Sequence, residues 1–109
     1  MFVYITTNQS NRVFYTGVTN DLFRRMYEHK SELIEGFTKR YHLSKLVYYT
    51  EISDNTEAII LEKRLKKYPR DKKYKLIRKE NPEMKDLSED WDFGELGVPL
   101  EYTHFTAKK

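Results

Sequence analysis

Two tyrosines near the start of the chain, Tyr4 and Tyr15, could hold their hydroxyl groups close enough to act together. Residues 2–6 and 13–18 are rich in β-branched and aromatic side chains, and the turn-rich stretch between them predicts a β-hairpin. A turn centred between residues 9 and 10 would place the two tyrosines opposite each other on one face. A slip of one residue would move one of them to the other face. Tyrosines paired in this way are more often cross-strand packing than chemistry.

An arginine and a histidine, Arg25 and His29, lie one helical turn apart in the next segment. Residues 19–21 are typical of a helix start, and Gly36 is predicted to end the helix. Four residues recur at helical spacing on one side of this helix: Leu22, Met26, His29 and Leu33. Arg25 falls on the same side. Taken singly, an arginine on a helix is usually a surface charge, and a lone histidine is usually a satisfied surface residue.

A glutamate, Glu62, lies at the edge of the apolar stripe of a second helix. Residues 54–57 have the form of a capping box, which predicts the start of this helix, and Pro69 is predicted to end or kink it. The stripe consists of Ala58, Leu61, Leu65 and Tyr68. The simplest role for Glu62 is an ion pair with Lys66, four residues later in the favoured orientation.

The remaining segments complete a small α+β domain. Residues 46–52 predict a third strand, residues 73–79 a further helix, and residues 37–42 a polar, basic loop. Residues 81–109 lack a clear period and are predicted to be irregular, partly packed, and frayed after residue 102. The predicted order is β-β-α-β-α-α, with a three-stranded antiparallel sheet, formed by the hairpin and the third strand, flanked by helices.

Composition narrows the class of protein. The chain has 109 residues, which suits one modest core. It contains no cysteine, which excludes disulfides, thiolate metal sites and cysteine nucleophiles and fits a cytoplasmic location. No stretch reaches the ~20 apolar residues of a membrane span, and the N-terminus lacks the pattern of a signal peptide.

Charge is distributed unevenly, although the net charge is only +3. Acidic residues dominate from residue 83 onward, whereas the middle of the chain is basic. The basic segment contains Lys63, Arg64, Lys66, Lys67, Arg70, Lys72, Lys73, Lys75, Arg78 and Lys79. This asymmetry indicates either a polyanionic partner or a solvated helix surface.

The motifs in their order resemble a known family. Val3-Tyr4-Ile5 and the later Tyr15-Thr16-Gly17 resemble the paired tripeptides that name the GIY-YIG nuclease superfamily. Further segments resemble its small stand-alone, single-domain branch: residues 19–25 with His29 and Lys30, residues 36–41, residues 57–62 and residues 81–83. The resemblance covers roughly residues 2–91. We therefore expect a GIY-YIG-like nuclease domain over residues 1–91 and an irregular acidic tail over residues 92–109.

The resemblance implies an endonuclease that hydrolyses DNA phosphodiester bonds with Mg²⁺ or Mn²⁺, selects for DNA structure, and serves repair or recombination. It implies that Tyr4 and Tyr15 position the attacking water, and that one of them acts as base if nearby positive charge lowers its phenol pKa. It also implies that Arg25 holds the phosphate, that His29 orients water or binds phosphate, and that Glu62 binds the metal ion. A retained catalytic set favours an enzyme over a non-catalytic or weakly active nucleic-acid-binding module of the same fold, which is the alternative.

The sequence departs from the family pattern at two positions. Phe2 stands where the family name has glycine, and Val18 stands where some members have a lysine, whose role is either absent or taken by another residue such as Lys39. Asn81 is the candidate for the asparagine that follows the metal-binding glutamate. The residues expected to bind the DNA phosphate backbone are Arg24, Lys39, Arg40, Lys63, Lys66, Lys67, Arg70 and Lys73. A protein partner is the other expected source of specificity, and a protein-interaction domain that docks through the acidic tail is a third, unsupported hypothesis.

Overall fold

The computed structural model describes residues 1–33 and 36–96 of the chain. These residues form the strands β1 (Phe2–Thr7), β2 (Phe14–Thr19) and β3 (Lys45–Glu51), the helices α1 (Leu22–Lys30), α2 (Phe37–Arg40), α3 (Asn55–Lys66) and α4 (Arg70–Glu80), and a short 3₁₀ helix (Phe93–Leu96). The three strands make one sheet in the order β2-β1-β3, with both pairings antiparallel. The predicted α+β class and the predicted sheet are therefore confirmed.

The register of the hairpin differs from the predicted one by two residues. Tyr4 lies opposite Gly17 rather than opposite Tyr15, which faces Thr6. The loop between the strands lies one residue later in the chain than expected, and in it the side chain of Asn8 accepts a hydrogen bond from the backbone amide of Arg12 (3.0 Å). Side chains alternate with a period of two, so this two-residue shift leaves both tyrosines on one face.

The central strand β1 is buried on both faces, which divides the core into two layers. On one face, Tyr4 packs with α1 and the end of the described chain, in a cluster with Leu22, Met26, Tyr27, Leu46 and Phe93. On the other face, Val3 packs on α3 through Ala58 and Leu65. Ile5 packs on the same side with Val47, Ile77 and Met84. The sheet is thus held between α1 on one side and α3 with α4 on the other.

Helix α1 is shorter than the sequence predicts. It begins as expected, because the side chain of Asp21 caps it by accepting a hydrogen bond from the amide of Arg24 (3.0 Å). It ends at Lys30 and not at Gly36, because Glu32 takes the left-handed conformation (φ 55°) and turns the chain away. Gly36, at φ 97°, instead precedes α2. The loop predicted for residues 37–42 is therefore also wrong, since it contains this short helix.

Helices α3 and α4 follow the sequence signals closely. Asp54 caps α3 by accepting hydrogen bonds from the amides of Thr56 (2.8 Å) and Glu57 (3.1 Å). Pro69 separates the two helices, and α4 begins directly after it, three residues earlier than predicted. Helix α4 ends at Glu80, one residue beyond the predicted range, and Asn81 is its C-cap. In the described part of the chain, no helix has the length and apolar character needed to cross a bilayer.

The segment after α4 packs on α1, and it contains one short 3₁₀ helix where an irregular chain was predicted. The ring of Phe23 stacks on Trp91 (centroids 5.8 Å apart) and contacts Phe93 (4.8 Å). The predicted division of the chain at residues 91 and 92 stays a prediction. Fraying after residue 102 falls outside the described residues.

A buried ion pair ties this segment to the rest of the fold. The ammonium of Lys30 at the end of α1, whose side chain is only 2% exposed, lies 2.5 Å from a carboxylate oxygen of Asp86. The other carboxylate oxygen accepts hydrogen bonds from the amide of Leu46 (3.1 Å) and from Ser88. Burial by itself would raise the pKa of Asp86, but the hydrogen bonds from Lys30 and Ser88 and the charge of Lys30 outweigh it, so this pKa is lowered.

We expect Asp86→Asn to lower the free energy of unfolding by about 3 kcal/mol, because it leaves the ammonium of Lys30 buried without a counter-charge. Since the pKa of Asp86 is lower in the folded state, its stabilisation is present above pH 3.8 and is lost as the pH falls through the folded value. Urea denaturation across this pH range measures both effects. Asp90→Asn, at an exposed position, is the control. Equal stability of the two variants would contradict the prediction.

Candidate active site

Tyr4 lies in the central strand, and the neighbouring strand carries a glycine that makes room for its ring. A Cβ atom added to Gly17 would lie 2.6 Å from both Cζ and Oη of Tyr4, far inside van der Waals contact. Tyr15, two residues from Gly17 on the same face, brings its ring centroid to 6.2 Å from that of Tyr4. Tyr4 is fully buried whereas Tyr15 is half-buried, so Tyr15 is the tyrosine that solvent and a substrate can reach.

Helix α1 adds His29 to this pair. The phenol oxygen of Tyr4 and Nε2 of His29 are 3.0 Å apart in a buried hydrogen bond, and the imidazole centroid lies 5.6 Å from each tyrosine ring. His29 is only 4% exposed. Burial, helped by the positive charge of Arg25, lowers the pKa of His29 to about 4, so the imidazole is neutral at pH 7. Nδ1 has no hydrogen-bond partner among the described residues.

The pKa of Tyr4 is raised, mainly by burial and further by Tyr15, and the nearby Arg25 only partly offsets this. The sequence interpretation required positive charge to lower a phenol pKa, and for Tyr4 burial wins over that charge. Tyr4 is therefore a protonated phenol at neutral pH. In the tautomer that carries its hydrogen on Nδ1, Nε2 of His29 accepts this proton, while the phenol oxygen can accept a hydrogen bond from Arg25.

Arg25 lies beside the buried pair but stays accessible. Its side chain is 37% exposed, and Nε lies 3.4 Å from a carboxylate oxygen of Glu28, one turn further along α1. The guanidinium acts on both Tyr4 and His29, which places a permanent positive charge at the mouth of the cluster. Such a charge suits a phosphate oxygen.

Glu62 lies on α3, which packs against β2 and β1 on the face of the sheet opposite to α1. It is nearly buried, and its carboxylate lies 2.6 Å from the ammonium of Lys66. The pKa of Lys66 is raised, first by this hydrogen bond and also by the charge of Glu62 and of Tyr15. Lys66 is thus paired with Glu62, and its charge interacts with that of Tyr15. The ion pair expected from the sequence is present.

The carboxylate of Glu62 fits a hard divalent cation that keeps most of its bound water molecules. The described residues contain no group of three or more carboxylates, histidines or cysteines that could enclose a metal ion. Mg²⁺ and Mn²⁺ need no such cage, because one or two carboxylates with water and substrate phosphates suffice. Glu62 provides one buried carboxylate of this kind, provided that Lys66 releases or shares it.

The sequence profile of the GIY-YIG catalytic domain matches residues 1–75 of the 109-residue chain. The chain belongs to the GIY-YIG family. This is a family of nucleases, so the tyrosine cluster lies in a nuclease-type domain, and family members typically use divalent metal ions. No curated protein and no solved structure matches the chain.

The departures from the GIY-YIG pattern have structural consequences. Phe2 packs edge-on against Tyr49 of the neighbouring strand, with centroids 6.4 Å apart. Val18 points to the opposite face from Tyr15 and packs with the cluster of Val3 under α3. The charge of Lys66 interacts with that of Tyr15, and the suggested role of Lys39 stays a prediction.

Asn81 fastens a turn of the chain. Its side-chain amide donates hydrogen bonds to the carbonyls of Val47 (3.1 Å) and Lys85 (2.9 Å), and its oxygen accepts one from the amide of Lys85 (3.0 Å). These bonds hold the turn after α4 against β3. A metal-site role for Asn81 stays a prediction, and this geometry gives it no support.

The expected DNA-binding residues fall on three parts of the surface. Arg24 is exposed on α1 near Asp21 (4.0 Å), and α2 carries exposed Lys39 and Arg40. A third region follows α3 and α4, with Lys63, Lys66, Lys67 and Arg70 exposed and Lys73 half-buried. Within this region, Arg70 and Lys73 line a surface depression, and Arg12 lines it as well. Sequence reasoning missed Arg12, since a lone basic residue in a hairpin loop gives no signal without the register.

We expect Gly17→Ala to lower the free energy of unfolding by about 1–3 kcal/mol, because the new methyl group must displace the buried ring of Tyr4. The same change should weaken the hydrogen bond between Tyr4 and His29. Urea denaturation of Gly17→Ala, measured alone and in a Tyr4→Leu background, isolates the contact. An equal loss of stability with and without the Tyr4 ring would show that this contact does not constrain position 17.

Proposed function

We propose that the protein is a metal-dependent endonuclease that hydrolyses phosphodiester bonds of DNA. The observation that carries the proposal is the buried hydrogen bond between Tyr4 and a neutral His29, next to an accessible Arg25 and Tyr15. Packing alone does not require a titratable ring and a phenol in one water-excluded cluster beside a permanent cation. Phosphodiester hydrolysis requires these parts: a proton acceptor, a group that positions water, and a cation for the phosphate.

The proton leaves the attacking water through the accessible Tyr15 and then the buried Tyr4. As the water oxygen bonds to phosphorus and the bond from phosphorus to the leaving oxygen breaks, the Tyr15 hydroxyl takes the water proton and passes its own to the Tyr4 oxygen, whose phenol proton moves to Nε2 of His29; the leaving oxygen takes a proton from solvent. Tyr15, which is more accessible, positions the water through its hydroxyl group. His29 acts through Tyr4 and is a proton acceptor that does not touch the substrate.

Arg25 couples substrate binding to this proton transfer. Its charge helps to lower the pKa of His29 in the free protein. A phosphate bound to the guanidinium brings negative charge to the same place, which raises the pKa of His29 and makes it a better base when substrate is present. Glu62 would hold Mg²⁺ or Mn²⁺, and that ion would supply charge stabilisation to the phosphate oxygens and the leaving oxygen.

A second candidate function is nucleic-acid binding without efficient cleavage. The specific observation in its favour is the ion pair between Lys66 and Glu62, which occupies the carboxylate that a metal ion needs. Binding by basic residues alone would survive this arrangement. Structure selectivity, a role in repair or recombination, and a protein partner are further proposals for either function.

We expect Glu62→Gln to abolish metal-dependent cleavage of supercoiled DNA while leaving DNA affinity nearly unchanged, because Glu62 contributes to the metal site and not to phosphate binding. Arg25→Ala should weaken both cleavage and binding, since it removes a direct phosphate contact. Plasmid nicking with Mg²⁺ or Mn²⁺ and fluorescence anisotropy measure the two quantities.

Glu57→Gln is the matched control, because Glu57 lies exposed on the same helix. Loss of the Glu62–Lys66 ion pair costs only about 0.2–0.5 kcal/mol, so circular dichroism should show that Glu62→Gln is folded. If folded Glu62→Gln cuts at the wild-type rate, the metal-binding role of Glu62 is wrong. If the wild-type protein binds DNA but does not cut it, the second function replaces the first.

A further inference from the structure

The short helix α2 and the residue after it display two aromatic rings to solvent. Phe37 is 49% exposed and Tyr41 is 39% exposed. They are four residues apart, so they lie on one side of the helical turn, and their ring centroids are 4.8 Å apart. Large aromatic side chains that pack into a core gain most from burial, so an exposed adjacent pair indicates a surface that contacts something else.

Residues other than Phe37 and Tyr41 attach this segment to the domain. Thr38 is buried between them, and its carbonyl accepts a hydrogen bond from the amide of Leu43 (3.0 Å), which is itself buried. The imidazole of His42 lies 2.6 Å from the carboxylate of Glu32, which closes the segment against the end of α1. The backbone is therefore held from the inner side, while both rings face outward.

Positive charge surrounds the pair. The guanidinium of Arg40 lies over the ring of Tyr41, 5.5 Å from its centroid, and the side chain of Lys39 on the same short helix is exposed. Flat rings next to cations match one chemistry closely: a nucleobase attached to a phosphate backbone. An apolar protein partner would use the rings but would be opposed by the adjacent charges, which it would have to desolvate.

We propose that Phe37 and Tyr41 are a stacking site for bases of unpaired DNA, with Lys39 and Arg40 on the adjoining phosphates. The bases of an intact duplex are stacked on one another and offer no free face, whereas unpaired bases do. The protein therefore prefers DNA that contains a single-stranded segment, such as a flap or a branch. This inference rests on the proposed nuclease function and names its class of substrate.

The test compares binding to single-stranded and duplex DNA of equal length by fluorescence anisotropy, with EDTA present so that no cleavage occurs. In the double variant Phe37→Leu, Tyr41→Leu, the surface stays apolar and its charge is unchanged, but the flat faces are lost. We expect affinity for single-stranded DNA to fall about five- to hundredfold. Affinity for the duplex should change less than about twofold, since its contacts are to phosphates.

Two control variants distinguish stacking on the rings from a general loss of apolar surface. The exchange Phe37→Tyr, Tyr41→Phe keeps both aromatic faces and should bind like the wild type. Ile59→Ala with Ile60→Ala removes exposed apolar side chains from α3 and should leave the preference for single-stranded DNA unchanged. Single-stranded DNA binding that persists in the double leucine variant would overturn the proposal, and an equal loss on both DNAs would do the same.

Photo-cross-linking gives an independent result on the unchanged protein. Single-stranded DNA containing 5-iodouracil should cross-link to Phe37 or Tyr41, as mapped by mass spectrometry, and exclusive cross-links elsewhere would overturn the stacking site. Because both measurements are made without cleavage, they are separate from the nuclease proposal. A protein that stacks bases but does not nick plasmid DNA would retain this site and lose the proposed activity.

Discussion

The buried hydrogen bond between Tyr4 and His29 is the interaction on which the rest of the site depends. It joins the central strand to α1 through two polar groups that would each cost free energy if they were buried alone. The glycine at position 17 follows from it, because the Tyr4 ring must lie against the neighbouring strand to reach the imidazole. The hairpin and α1 are thus fixed relative to each other by a polar contact at their centre.

The same contact separates the two tyrosines into different roles. Tyr4 is enclosed, so burial raises its pKa and keeps its proton on the oxygen. Tyr15 lies on an edge strand, half-buried, and near the ammonium of Lys66. Arg25 sets the electrostatics of both buried groups from an accessible position. A phosphate bound there changes the charge that the buried pair experiences, which links recognition to proton transfer without any movement of the backbone.

Much of this arrangement could be predicted from local signals. Strand alternation placed Tyr4 and Tyr15 on one face even though the register was wrong by two residues, because an error of two preserves the face. The cap of Asp54 and the break at Pro69 located the start of α3 and the boundary between α3 and α4. These features depend on residues within a few positions of each other, which a single sequence displays directly.

What could not be predicted depends on distant contacts or on backbone conformation. The early end of α1 results from a left-handed Glu32, a conformation that the residue type does not announce. The pair of Lys30 with Asp86 joins residues 56 positions apart. The burial of His29 was missed because helical spacing shows which side it faces, but not what covers it. The lowered pKa of His29 follows from that burial and from the charge of Arg25.

The titration of His29 tests the central claim most directly. Proton NMR of the imidazole in the folded protein should give a pKa of about 4, and Arg25→Gln should raise this value, because one cause of the shift is the charge of Arg25. A DNA strand bound under non-cleaving conditions should raise it as well, through the phosphate on the guanidinium. A His29 pKa near 6.5 that neither Arg25→Gln nor DNA changes would contradict a buried, neutral imidazole as the proton acceptor of this site.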